Sequence, residues 1–216
     1  VDAGFSSKII LSDEAHFRLD GFVNWQNCRV WGSEKPRAIS EKRMHDPRRV
    51  TVWRGFWPGG VVGPCFFENE AGRAATVNGA RYRAAITRFF LPKLDDIDAA
   101  DTRFQRDGAT CLAANETIRS PHETFPGRVL SRFGDRNWPP GSCDLTPLDF
   151  FLWDYLKRKV YVDDPATTRA SQEEIERCID EIQPRLCGKV MKKIKHESEK
   201  FKRGRNGNLA LILAHP

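Results

Sequence analysis

Hydrophobic positions change period along this chain, alternating through the first half and recurring at helical spacing through much of the second. Ile9 to Leu11 is a short continuous apolar run, and Phe17-Arg18-Leu19-Asp20-Gly21-Phe22 alternates apolar with polar or small residues. Asn27 to Trp31 is a third strand-like stretch, ended by Gly32, and a polar, basic loop is expected from Ser33 to Arg49. Arg49 to Trp57 alternates again, with Val50, Val52, Arg54 and Phe56 on one side. Pro58-Gly59-Gly60 has turn chemistry, so Val61 to Phe67 is expected to return as a hairpin partner.

Beyond that hairpin, Tyr82, Ile86, Phe89, Phe90 and Leu94 predict a helix that starts near Asn78-Gly79. Thr102 to Asp107 is strand-like, and Cys111 to Phe125 reads as helical except that Pro121 should break or kink it. Val129 to Phe133 predicts a short strand, and Asn137 to Ser142 a rigid loop leading to a helix over 147–160. Ile175, Ile179 and Ile182 form a helical stripe that Leu186, Val190 and Ile194 continue, with Pro184 starting a second helix. No internal repeat is present. Strands first, alternation next and helices last predict a mixed α/β domain, with helices packed on a mostly open sheet.

Composition narrows the class. With 216 residues, 40% hydrophobic and 11% aromatic, the chain suits one sizeable globular domain. Trp53, Phe56, Trp57, Phe66 and Phe67 are read as core rather than as a base-stacking platform. The net charge of +6 is compatible with a polyanionic partner without establishing one. Cys28, Cys65, Cys111, Cys143, Cys178 and Cys187 are scattered without zinc spacing, so reduced thiols inside a cell are expected. The late apolar run Leu209 to Ala214 is too short to span a bilayer. The chain begins at Val1, and its natural start is expected upstream.

Three aspartates fall where a core element meets a loop. Asp13 closes the run from Lys8, Asp107 closes the run from Thr102, and Asp149 opens the helix of Phe150, Phe151 and Trp153. Carboxylates so placed can converge on a pair of divalent cations, the arrangement that cuts and joins phosphodiesters. Each has an everyday alternative. Asp13 can cap a turn, Asp107 can be the N-cap of a helix near Thr110, and Asp144 competes with Asp149 as a ligand. Asp144 or Thr146 is the better N-cap, with Pro147 in the first helical turn. His16 is another candidate ligand, although strand histidines are more often structural.

The words around these aspartates are more specific. Ser12-Asp13-Glu14-Ala15-His16-Phe17, Gln105-Arg106-Asp107-Gly108-Ala109-Thr110-Cys111 and the run Trp138 to Trp153, with its Ser-Cys-Asp-Leu-Thr-Pro-Leu-Asp core, resemble the catalytic domain of mariner-like DNA transposases. The resemblance covers roughly residues 5–190. It implies the ribonuclease-H-like fold, metal ligands at Asp13, Asp107 and Asp149, and a structural role for Asp144. Forty-one residues separate Asp107 from Asp149, a long spacing that suggests an insect-type divergent branch with a final aspartate. The implied chemistry is cleavage and strand transfer of DNA by two Mg²⁺ or Mn²⁺ ions, one activating water or a 3′-hydroxyl and the other stabilising the leaving oxygen. A ribonuclease-H-type hydrolase of RNA–DNA hybrids would share the metal site but not these words.

Some positions depart from the family pattern. Leu112 stands where a histidine is usual, Pro121 interrupts an expected helix, Gly141 replaces a basic residue, and Asp154 replaces a glycine. The helix-turn-helix pair of full-length relatives has no counterpart before Asp13, which fits a truncated or decayed copy. The leading expectation is such a transposase catalytic domain, and the alternative is a catalytically inactive nucleic-acid-binding or interaction protein on the same fold. The expected organisation is a catalytic domain over 1–165, helices completing or flanking it over 166–204, and a tail over 205–216. DNA is the expected partner, with Lys192, Lys193, Lys195, Lys202, Arg203 and Arg205 as non-specific phosphate contacts. Nuclear location and, for the full-length protein, a homodimer are implied by the resemblance.

Overall fold

In the computed structural model, residues 8–20, 48–97, 101–106, 121–131, 134–137 and 147–203 are described, with side chains except at 95, 96, 136, 137 and 195–203. The strands are β1 (Ile9–Arg18), β2 (Arg49–Trp57), β3 (Gly60–Phe66), β4 (Arg103–Arg106), β5 (Val129–Ser131) and β6 (Arg136–Asn137). They form one sheet in the order β3-β2-β1-β4-β5-β6. β1, β2 and β3 pair antiparallel, whereas β4 joins β1 in parallel and is followed by β5 and β6 in parallel.

The hairpin forms where turn chemistry predicts it. A Cβ on Gly59 would run into the indole of Trp57, which folds over the turn, so that position requires glycine. Helix α1 (Gly79–Ala84) starts at Asn78, whose side chain accepts a 2.9 Å hydrogen bond from the Arg81 amide. It widens into a π turn (Ala85–Phe90) and ends in a 3₁₀ turn (Leu91–Asp96). A second π turn (Leu148–Leu152) leads into α2 (Trp153–Val160), which is followed by α3 (Thr168–Asp180) and α4 (Pro184–Arg203). Thr167 caps α3 by accepting from the Ala170 amide at 3.1 Å, and Pro184 opens α4.

Strand alternation sends side chains to two separate cores. Ile9, Leu11, Ala15 and Phe17 of β1 join Val50, Val52 and Phe56 of β2 against α2, α3 and α4. On the other face, Ile10, Trp53, Phe104 and Val129 pack with Tyr82, Ile86 and Phe90. There Phe104 stacks between Phe90 and Phe125, with ring centroids 5.1 and 5.4 Å away. Trp53, Phe56 and Phe67 are buried, and Trp57 and Phe66 pack against the same cores, so the aromatic set is core.

Three expectations need correction. Ile9 to Leu11 and the start of the Phe17 run belong to one ten-residue strand, so Asp13 lies inside a strand instead of closing one. Asn137 is in β6, not in a loop. Leu186 is 36% exposed, and Cys187, Val190, Met191 and Ile194 carry the buried stripe of α4, because the helix restarts at Pro184 in its own phase. The strand expected over Asn27 to Trp31, the helix before Pro121, and Leu112, Gly141, Asp144 and Thr146 lie outside the described residues. No helix among the described residues is long and apolar enough to cross a membrane.

Candidate active site

Among the described residues, β4 runs beside β1 in parallel from Ile9↔Arg103 to Ser12↔Arg106. Asp13 is the next residue of β1 after those pairs. The junction just before it is held by two hydrogen bonds: the Ser12 hydroxyl donates to the Gln105 carbonyl at 2.9 Å, and the Ser12 amide donates to the Gln105 side-chain oxygen at 3.3 Å. Both residues are buried, so these bonds fix the pairing of the two strands next to Asp13. The described part of β4 stops at Arg106, and Asp107 lies outside the described residues.

Asp13 is half-buried and points to the face covered by the C-terminal helices, like its neighbours Leu11 and Ala15. The Trp153 indole Nε1–H donates to Asp13 Oδ2 at 2.8 Å. Trp153 is itself buried and meets Phe17 edge-on, with centroids 6.3 Å apart. Asp149 sits half-buried in the π turn, one turn before Trp153. Residues four apart on a helix share a face, so the indole contact brings the face carrying Asp149 against Asp13. The Trp153 amide closes the π turn onto the Leu148 carbonyl. Such widened turns are uncommon and frequent at functional sites.

A second hydrogen bond ties the far end of the same helix to the same strand, where the Arg18 amide donates to the Tyr161 hydroxyl at 3.1 Å. Helix and strand thus run in the same direction. Cations gather toward that end. Arg18 and Arg49 are direct cross-strand partners, and desolvation followed by Arg49, Lys157 and Arg18 lowers the pKa of His16. His16 bonds Thr51 Oγ1 at 2.9 Å, which gives it a structural contact. Asp154 makes a two-bond ion pair with Arg158, at 3.0 and 3.1 Å, so its added negative charge is offset within the helix. Lys192 and Lys193 are exposed on α4, whereas the side chains of Lys195, Lys202 and Arg203, and all of Arg205, lie outside the described residues.

Of the three sequence-predicted ligands, the structure places Asp13 and the Asp149-bearing helix together. Among the described residues no group of three or more His, Cys, Asp or Glu side chains converges on a cation site. Sequence reasoning missed Trp153 as the partner of Asp13, although its four-residue offset from Asp149 was the available signal. It also missed Ser12 and Gln105, whose roles depend on register.

No protein-family model matches the chain. The chain is 28% identical over 157 residues to the transposable element Tc3 transposase of Caenorhabditis elegans, spanning 72% of this chain but 43% of that protein. The Mos1 mariner transposase catalytic domain has a similar fold, with a TM-score of 0.58 at 18% identity, covering 92% of this chain and 82% of the other. A Mos1 paired-end complex with the left transposon end gives 0.68 at 16% identity, covering 92% and 55%. The Mos1 catalytic domain with raltegravir and Mn gives 0.62 at 16% identity, covering 92% and 82%. The chain thus spans less than half of the Tc3 protein and about half of the Mos1 chain in the paired-end complex. The chain is thus similar in sequence to a transposable-element transposase, and its fold is that of the Mos1 mariner transposase catalytic domain.

Proposed function

We propose that this chain is the phosphoryl-transfer domain of a mariner-like transposase, cutting and rejoining DNA with divalent cations held by Asp13, Asp107 and Asp149. The observation that carries the proposal is the Trp153–Asp13 hydrogen bond, which brings the Asp149 helix to Asp13 beside the end of β4. The donor set supports it, because carboxylate oxygens suit Mg²⁺ or Mn²⁺, and Asp13 and Asp149 are half-buried. When bound, such ions would activate the attacking hydroxyl and stabilise the departing oxygen.

The chain's own part is placement. The Ser12–Gln105 bonds hold the parallel strands, and the Trp153 indole holds the Asp13 carboxylate. Arg18 on β1, Arg49 on β2 and Lys157 on α2 supply positive charge at the Arg18 end of the strand and helix, which suits a phosphate backbone. Lys192 and Lys193 are exposed on the C-terminal helix, and further basic residues follow them in the sequence. The same reading puts the full-length protein in the nucleus as a homodimer that holds two DNA ends.

The test is a nicking assay on supercoiled DNA with Mg²⁺ or Mn²⁺. Wild type should nick the substrate and Asp149→Ala should not. Equal background from the two proteins sinks the enzymatic reading and leaves the nucleic-acid-binding alternative, which DNA binding without cleavage would then support.

A further inference from the structure

The Trp153–Asp13 contact has a chemical asymmetry. An indole N–H donates and cannot accept, so it favours a carboxylate in its charged form. It engages Oδ2 at 2.8 Å and leaves Oδ1 unclaimed by the indole. The ring has little freedom to follow a moving partner. It is 4% exposed, lies edge-on to Phe17, and belongs to the core cluster that joins β1 to α2 and α3. We propose that Trp153 is a positioning residue for the metal centre: its N–H fixes the rotation of the Asp13 carboxylate, presents Oδ1 to a divalent cation, and sets the separation of Asp13 from Asp149.

This inference rests on the assignment of Asp13 and Asp149 as ligands and adds a residue that touches no cation itself. Without the indole donor, the Asp13 carboxylate would lose the bond that holds Oδ2, and the helix that carries Asp149 would lose the nearer of its two polar anchors to β1. Partners that orient ligating groups typically change metal affinity or activity about 10–100-fold when removed.

The test uses Mn²⁺ binding to the purified chain, read from the free-ion paramagnetic resonance signal, with circular dichroism as the folding control. Trp153→Phe keeps an aromatic ring in the core and removes only the donor. It should weaken Mn²⁺ binding about 10–100-fold. Phe17→Leu disturbs the same packing without touching the hydrogen bond and should leave the affinity within about twofold of wild type, below the range for removing an orienting partner. Unchanged affinity in Trp153→Phe overturns the role proposed for the indole, and so does an equal loss in both variants, which would mark a packing effect. Asp149→Ala separates the two levels. If it abolishes Mn²⁺ binding while Trp153→Phe does not weaken it, the ligand assignment stands and the positioning role falls. If Asp149→Ala binds Mn²⁺ like wild type, the ligand assignment fails first.

Discussion

Arg54, the cross-strand partner of Asp13, is the residue whose replacement should change this protein's stability most visibly. It is 0% exposed, and its Nε, Nη1 and Nη2 atoms find no hydrogen-bond partner among the described residues. Its stem crosses Gly63, where a Cβ would meet Arg54 Cδ at 3.0 Å. Burial pulls the guanidinium pKa from its ordinary value down to about 9, against a smaller opposing pull from Glu176, Asp180 and Cys65. At about 1.4 kcal/mol per unit, this displacement corresponds to a penalty of roughly 5 kcal/mol for holding the charged form inside the fold. The sign follows from the lowered pKa. The penalty is complete below pH 9 and would lift only as pH rises from there toward the ordinary guanidinium value.

Replacing the guanidinium with an apolar chain of similar length recovers part of that penalty. Arg54→Met should stabilise the domain by about 2–4 kcal/mol, in line with replacements of buried charges by packed apolar groups. At roughly 2–4 °C per kcal/mol for a chain of this size, the melting temperature should rise by about 4–16 °C. Thermal and urea unfolding at neutral pH measure the change. The advantage over wild type should narrow above pH 9, where the wild-type penalty begins to lift. A variant that melts lower than wild type refutes the reasoning, because the guanidinium would then be making interactions whose loss outweighs its desolvation.

Two further outcomes follow from local chemistry. Asn78→Ala removes the side-chain cap on the Arg81 amide and should cost about 1 kcal/mol in urea unfolding, without altering Mn²⁺ binding. His16 has its pKa held below the ordinary 6.5, first by desolvation and then by Arg49, Lys157 and Arg18. As pH falls below 6.5 the unfolded chain takes up the proton first, so stability should decline through that window. Urea midpoints across the window should decline less steeply for His16→Gln.

Legibility in the sequence followed the reach of each signal. The β2–β3 hairpin, the start of α1 at Asn78 and the restart at Pro184 depend on a few neighbouring residues, and the structure forms all three where expected. β1 was harder because Ile9, Ile10, Leu11 and Ser12 are all buried, so the strand has no alternation at the end that enters the sheet centre. Asp13 therefore looked like a strand end, whereas β1 runs on to Arg18 and pairs with β2 across Asp13, a relation between distant segments. Arg54 shows the converse. Alternation placed it inward, correctly, although its charge argued for the surface. The motif words pointed to Asp13 and Asp149, but the bond that joins their elements spans 140 positions and leaves no local trace.

The two attachments of α2 to β1 constrain the length of chain between them. From Asp13 to Arg18 the strand advances about 17 Å at roughly 3.4 Å per residue. From Trp153 to Tyr161 the helix advances about 12 Å at 1.5 Å per residue, and the long side chains bridge the difference. One residue inserted between Trp153 and Tyr161 would swing the tyrosine by about 100° around the helix axis, and one residue deleted would swing it as far the other way. Either change would leave the Asp13 end in register and release the Arg18 end. The segment behaves like a ruler with both ends clamped: substitutions along its exposed side are tolerable, changes in its residue count are not, and variation in length belongs in the connections outside it.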